Sequence, residues 1–195
     1  MLSRRRFLAL GGATAAAGLG AACGLPDDDR PRAISDPPRD LVPTTALIES
    51  CWRQYVVREG KAQYLRSNAA SVGIMQVNQR VWRGFYDVKR LRWDTAYNAR
   101  AGAQILMRYM KDYAIPYAER SGELAHVPRA AYAVYNAGPR AAGRFAKNPP
   151  HPREARVDER LWTLYQGFAS GGEADLRTCA VGVNSAARPS GAKAQ

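Results

Sequence analysis

The residue of this sequence best placed to do chemistry is Glu49. It follows the apolar run Ala46-Leu47-Ile48 and is followed by Ser50 and, three residues on, by Trp52. A carboxyl group that loses hydration beside apolar side chains has a raised pKa and keeps its proton closer to neutral pH. Glu49 is therefore a candidate proton donor, although a glutamate at the edge of an apolar helix face is more often a solvated surface residue.

Two further motifs follow Glu49-Ser50 along the chain, Gly73-Ile74-Met75-Gln76 and Ala133-Val134-Tyr135-Asn136-Ala137-Gly138. Each also fits a purely structural role. The first is an apolar run that could be core, and the second could be a helix that ends at Asn136 or Gly138. Their order along the chain carries more information than either motif alone.

Taken together, the three motifs resemble the soluble lytic transglycosylase domain, of the family that also includes goose-type lysozyme. Its members have Glu-Ser on a helix, then Gly-Leu-Met-Gln, then Ala-Tyr-Asn-Ala-Gly. An intervening Asn-x-x-x-Gly pattern is matched here by Asn98 and Gly102. The resemblance spans roughly residues 46–145 and implies a mainly α-helical, lysozyme-like domain that acts on peptidoglycan.

The resemblance also implies a mechanism. The chain would cleave the β-1,4 bond between MurNAc and GlcNAc and leave a 1,6-anhydro-MurNAc end. Glu49 would act first as acid and then as base, while the N-acetyl oxygen of the sugar stabilises C1, an exception to the usual pair of carboxylates. The resemblance implies that Ser50 orients Glu49 or contacts the N-acetyl group. It also implies that Met75 and Gln76 line the glycan groove and that Tyr135 and Asn136 position the reacting sugar.

Two positions depart from the family pattern. Glu49 precedes Gln76 by 27 residues, which is longer than usual and indicates an insertion. The usual spacing would suit Glu59 instead, 17 residues before Gln76, but Glu59 lies in a polar Arg-Glu-Gly-Lys stretch typical of a solvated ion pair. Val134 replaces the alanine that usually precedes Tyr-Asn. We therefore assign the acid to Glu49 and keep Glu59 as the alternative.

Rival functions remain open at this point. A hydrolytic lysozyme would share the fold and the acid, and its second carboxylate could be Asp87, Asp94 or Asp112 only by residue type. A non-catalytic peptidoglycan-binding or assembly module would keep the fold alone. Nucleic-acid binding is disfavoured because the first 23 residues predict export, as described next, and because the sequence has no recognised nucleic-acid motif.

The first 23 residues predict export. Three arginines, Arg4 to Arg6, precede Phe-Leu and a weakly apolar, Ala- and Gly-rich stretch, a pattern typical of a twin-arginine signal. The segment ends in Ala-Ala-Cys-Gly, which resembles a lipoprotein box, although Gly20 stands where a larger residue is usual. We expect a periplasmic protein, either tethered to a membrane through lipid on Cys23 or released by ordinary signal peptidase.

Composition shifts divide the rest of the chain. Residues 24–40 are rich in proline and aspartate and predict a linker, residues 41–170 the domain, and residues 171–195 a flexible tail. The stretch 53–71 lacks periodicity and is interpreted as a short helix and a loop around Gly60. Longer helices are predicted over 44–52, from the Asp94 cap to about Met110, over 129–136 and over 154–168.

Cysteine, histidine and charge complete the sequence-based predictions. Cys51 and Cys179 are either a disulfide or two free thiols. His126 and His151 lie far apart, so we expect no metal and no cofactor. The 195 residues carry a net charge of +12, which favours an anionic partner such as the cell-wall polymer. We expect a monomer.

Overall fold

The computed structural model describes residues 38–173 together with Leu176 and Cys179. These residues belong to one unit, Ile34–Gln195. The predicted export signal with Cys23, the linker up to residue 37 and most of the predicted tail lie outside the described residues.

The described part of the chain is mainly helical, as predicted. Its α-helices are α1 (Leu41–Ser50), α2 (Val88–Trp93), α3 (Thr95–Tyr109), α4 (Ile115–Ser121), α5 (His126–Ala137) and α6 (Pro152–Ala169). A π-helical turn, Met110–Ala114, joins α3 to α4, and two short 3-10 turns, Pro139–Ala141 and Arg144–Ala146, follow α5. The sequence predicted α1, α3, α5 and α6, but it did not predict α2 or α4.

Aspartate side chains cap α2 and α3. The Asp87 carboxylate accepts a hydrogen bond from the backbone N–H of Arg90 at 2.8 Å, and the Asp94 carboxylate accepts one from that of Tyr97 at 2.9 Å. Each bond satisfies an N–H group that the first helical turn leaves without an internal partner. The helix predicted from the Asp94 cap therefore begins where expected.

The prediction of a short helix between residues 53 and 71 is wrong. Strands β1 (Tyr55–Arg58) and β2 (Lys61–Tyr64) form an antiparallel hairpin there. Glu59 and Gly60 make its two-residue turn, both with positive φ, 51° and 71°, which matches the right-handed twist of the strands. The β-branched Val56 and Val57 favour a strand over a helix.

A second, shorter strand pair holds the Gly73-Ile74-Met75-Gln76 motif. Strands β3 (Ser71–Val72) and β4 (Val77–Asn78) pair antiparallel, with Val72 opposite Val77. Both valines are buried, so the motif is a turn anchored to the core at either end.

Two apolar clusters form the core. One lies among α1, α3 to α6 and the π-helical turn, around Leu106, Met110 and Tyr132. The other lies under β3 and β4, around Met75 and Leu91. Val42 on α1 and Tyr135 on α5 each pack against both clusters, so these two helices connect them. Within the described residues, no helix combines the length and hydropathy that crossing a bilayer requires.

A disulfide joins Cys51, directly after α1, to Cys179 in the C-terminal segment. The neighbouring Trp52 ring lies 6.1 Å from the ring of Phe168 on α6. The C-terminal end of α1 is therefore attached to the last helix and to the segment after it.

Candidate active site

Glu49 lies in the last turn of α1, which ends abruptly behind it. Cys51 and Trp52 both adopt left-handed backbone conformations, with φ of 53° and 56°. The backbone N–H of Cys51 donates to the carbonyl of Leu47 at 2.9 Å, and the indole N–H of Trp52 donates to that of Pro43 at 2.9 Å. These contacts fix the helix end and thus the origin of the Glu49 side chain.

Ser50 fastens α1 to the turn that carries Gln76. Its hydroxyl lies 2.6 Å from the carbonyl oxygen of Ile74, to which it donates, and the residue is only 4% exposed. The backbone N–H of Arg53 donates to the same hydroxyl at 3.2 Å. Ser50 was predicted to orient Glu49 or to contact the substrate, and in the structure its hydroxyl bonds to the backbone of two segments.

The backbone of the 73–76 turn is held by two buried amide side chains, Gln54 and Asn98. The Gln54 Oε1 accepts from the N–H of Ile74 at 2.8 Å, and the Asn98 Oδ1 accepts from that of Met75 at 2.9 Å. A Cβ atom on Gly73 would lie 2.4 Å or less from both amides. Only glycine fits at position 73, which explains why the motif begins with this residue type.

Gly102 on α3 is also a position where only glycine fits, because the Met75 side chain packs directly against it. A Cβ atom on Gly102 would lie 2.3 Å from the Met75 Cβ, so the absence of a side chain lets the methionine enter the core, where it is 1% exposed. Met75 was predicted to line the glycan site, but its side chain faces the core. Asn98 and Gly102, one helical turn apart on α3, thus fix the shape of the turn before Gln76.

Of three side chains on one face of α5, two approach Glu49 and the third contacts the turn that carries Gln76. The Tyr132 hydroxyl donates to Glu49 Oε1 at 3.1 Å, and the Asn136 amide nitrogen lies 3.5 Å from the same oxygen. The Tyr135 hydroxyl donates to the carbonyl of Met75 at 2.7 Å. Tyr132 was missed from the sequence, although its spacing of three and four residues from Tyr135 and Asn136 places all three on one helical face.

Burial raises the pKa of the Glu49 carboxyl above its usual value of 4.5, and this effect exceeds three opposing ones. The hydrogen bonds from Tyr132 and Asn136 and the positive charge of Arg144 each lower that pKa. Burial also raises the pKa values of Tyr132 and Tyr135 well above 10, so both hydroxyls keep their protons. Glu49 therefore favours its protonated form more than an exposed glutamate does.

A buried ion pair supports Asn136 from behind. The guanidinium of Arg144 donates to both carboxylate oxygens of Asp158 at 2.7 to 3.0 Å, and each side chain is 2% exposed. A further Arg144 N–H donates to Asn136 Oδ1 at 2.9 Å. Because the amide oxygen faces Arg144, its nitrogen faces Glu49. No local sequence pattern indicates this pair, because its members lie 14 residues apart on different elements.

Glu49 opens onto a cavity of about 270 Å³ with aromatic walls. Gln76, Tyr135 and Asn136 line it together with Trp82 and Tyr109, which the sequence did not single out. The rings of Trp82 and Tyr109 lie 6.0 Å apart. Aromatic walls with a few polar groups are typical of a small-molecule or sugar site. We refer to this cavity as the groove.

A larger cavity, about 550 Å³, lies beside the β1–β2 hairpin and is lined by Arg58, Tyr64 and Trp93, but not by Glu49. Asn68 lines this cavity and the next residue, Ala69, lines the groove, so the two are neighbours across one turn. Most of the lining of this cavity comes from the stretch between Glu49 and Gln76, where the sequence predicts an insertion, so this stretch forms a separate surface next to the groove.

The alternative carboxylates lie elsewhere. Glu59 is exposed at the hairpin tip. Asp87 and Asp94 cap helices, and Asp112 pairs with Arg108 at 3.4 Å. Among the described residues, Glu49 is the one Asp or Glu that lines the groove.

The raised pKa of Glu49 predicts a pH-dependent stability cost. Between the usual pKa of 4.5 and the higher folded value, the folded protein binds more protons than the unfolded chain, so the free energy of unfolding falls as pH rises through this window. Glu49→Gln removes this cost. We expect it to be more stable than the unsubstituted protein at neutral pH, with the gain disappearing well below pH 4.5.

Urea unfolding across this pH range measures the difference between the two proteins. Glu59→Gln, at the exposed hairpin tip, is the control and should follow the unsubstituted protein throughout. A gain in Glu49→Gln that stays constant with pH would contradict the assigned desolvation.

Comparison with known families places the chain. Residues 35–157, more than half of the sequence, match the family of the transglycosylase SLT domain. The chain belongs to this family, and family membership implies peptidoglycan as the substrate. Neither a curated protein nor a solved structure matches the chain.

Proposed function

We propose that this protein is a lytic transglycosylase that cleaves the MurNAc–GlcNAc β-1,4 bond of peptidoglycan and forms 1,6-anhydro-MurNAc ends, with Glu49 as its acid and base. One observation carries the proposal: Glu49, with a raised pKa, is the one carboxylate among the described residues that lines the groove. A second carboxylate, which most hydrolytic glycosidases need, has no counterpart there.

The reaction proceeds in two steps. Glu49 first donates its proton to the glycosidic oxygen, the bond from that oxygen to C1 of MurNAc breaks, and the N-acetyl oxygen of the same sugar bonds to C1. The ionised Glu49 then takes the proton of the C6 hydroxyl, whose oxygen bonds to C1 as the N-acetyl oxygen departs. No water is consumed, and Glu49 ends protonated as it began.

The hydrogen bonds at Glu49 support these two reaction steps. Tyr132 and Asn136 both approach Oε1, so the acidic proton resides on Oε2. Their bonds strengthen when Glu49 becomes ionised after the first step, because a carboxylate accepts more strongly than a carboxylic acid. The raised pKa favours the first step, and these donors favour the second.

The aromatic groove residues have a separate role in the proposal. Trp82, Tyr109 and Tyr135 offer apolar faces to the sugar rings, while the side chain of Gln76 offers polar atoms. Export by the signal in residues 1–23, to the periplasm, and a membrane tether at Cys23 are also parts of the proposal, since they bring the enzyme to its substrate.

Product analysis in ¹⁸O-labelled water tests the proposal. We expect purified peptidoglycan sacculi to yield muropeptides lighter by one water than hydrolysis products, without the label. A hydrolytic muramidase, run in parallel, incorporates the label at each new end. Labelled products from this protein would establish the hydrolytic alternative, and the absence of any soluble product would favour a non-catalytic module.

A further inference from the structure

Glu49 also lines a further cavity, whose lining differs from that of the groove. It encloses about 490 Å³, and its lining includes Ile48, Val157 and the three arginines Arg153, Arg156 and Arg160. Glu49, Tyr132 and Asn136 also line it, so it meets the groove at the catalytic carboxyl. Whatever binds there lies directly beside the bond to be cleaved.

The three arginines form one cationic surface, which we call the arginine face. They lie at positions i, i+3 and i+7 of α6, on one side of the helix, and all are exposed to solvent. Asp158, which lies between them in sequence, is buried and paired with Arg144. Glu49 is the one acidic residue of the lining, and its raised pKa favours the neutral form. The lining therefore carries more positive than negative charge, and Glu154 and Glu159 flank the arginines on the same helix.

We propose that the arginine face binds the carboxylates of the stem peptide attached to the sugar at the scissile bond. The inference rests on the proposed function and adds a substrate class to it, peptide-bearing over bare glycan strands. Guanidinium groups bind carboxylates through paired, charge-assisted hydrogen bonds. The stem peptide is attached to muramic acid through the lactyl group of that sugar. The first residues of the peptide therefore lie close to any protein group that holds the sugar.

The apolar part of the cavity distinguishes a peptide from a simple anion. Ile48 and Val157 lie beside the arginines and can pack against the methyl groups of the alanines in the stem. A phosphate or an acidic polysaccharide offers no such groups. The combination of three cations with two aliphatic side chains therefore fits a short acidic peptide.

Cleavage of two matched substrates tests the proposal. Glycan strands that carry stem peptides are compared with the same strands after an amidase has removed the peptides, and kcat/KM is measured for each. The ratio of interest is kcat/KM for peptide-bearing strands divided by kcat/KM for peptide-free strands. We expect the double variant Arg153→Gln/Arg156→Gln to reduce this ratio by about tenfold or more, because charge-assisted contacts to the peptide are lost. Arg80→Gln/Arg83→Gln is the control, because it removes the same charge from exposed positions at another cavity.

Binding of a small ligand separates this inference from the proposed function. The affinity of a soluble muramyl tetrapeptide is measured by calorimetry with the unsubstituted protein and both double variants. Weaker binding in the Arg153/Arg156 variant alone would support the arginine face even if no glycan were cleaved. Equal affinities, or an unchanged substrate ratio, would overturn it. Cleavage of neither substrate by the unsubstituted protein would instead refute the proposed function.

Discussion

Glu49→Gln is expected to release no detectable anhydromuropeptides from sacculi. Positioned general acids and bases typically contribute about 10²- to 10⁴-fold to a rate. Because the proposed mechanism uses Glu49 in both steps, we expect a loss at or beyond the upper end of that range. Glutamine keeps the shape of the side chain and an oxygen that accepts from Tyr132, so the groove should remain intact. The rate of soluble product release, followed by chromatography and mass analysis, measures the effect.

Glu59→Gln is the matched control for this experiment. Glu59 was the alternative acid on spacing, but it lies exposed at the turn of the β1–β2 hairpin. We expect that variant to cleave sacculi at nearly the unsubstituted rate. Retained activity in Glu49→Gln together with loss in Glu59→Gln would reverse the assignment.

Asp158→Asn is expected to lower the free energy of unfolding by about 3–5 kcal/mol, the cost of leaving one charge of a buried ion pair without its partner. The guanidinium of Arg144 is 2% exposed, so water cannot replace the lost carboxylate. Urea denaturation at neutral pH measures the change. Asp112→Asn is the control, since it breaks the ion pair with Arg108, whose side chains are 59% and 50% exposed, and should change stability little.

A double variant separates folding from function. Arg144→Met/Asp158→Leu replaces the ion pair with apolar side chains, and such replacements are often neutral or stabilising. We expect it to regain stability but to cleave more slowly, because Asn136 loses the N–H that orients its amide. Full activity in a stable double variant would show that Arg144 does not position Asn136 for catalysis.

The sequence predicted those parts of the fold that local patterns determine. Asp94 marks the start of α3 because a carboxylate at that position satisfies an N–H group of the first turn. The β1–β2 hairpin was missed because its exposed strands have no apolar periodicity. Its Glu-Gly turn was the available signal, although Gly60 was interpreted only as part of a loop.

The candidate site divides in the same way. Motif order located Glu49, Gln76, Tyr135 and Asn136, which the structure brings to one groove. Ser50 and Met75 were expected at the substrate but are buried and fix the surrounding backbone. A sequence motif therefore identifies residues that matter to a site, but it does not distinguish those that line the groove from those that hold the surrounding backbone in place.

Pairings between distant elements could not be predicted. The contact between Arg144 and Asp158 depends on how α6 packs behind α5, and no local spacing encodes it. The same holds for Gln54, whose buried amide reaches the turn at Ile74 from the segment before the hairpin.

The bond between Cys51 and Cys179 makes a covalent ring of the chain between them. Gln76, Tyr135 and Asn136 lie inside this ring, whereas Glu49 lies two residues outside it. A protease that cuts one peptide bond in an exposed segment of the ring, such as residues 122–125, leaves both pieces attached to each other. Glu49 and Gln76 would then remain joined to Tyr135 and Asn136 in one molecule, even though the backbone between the two pairs was severed.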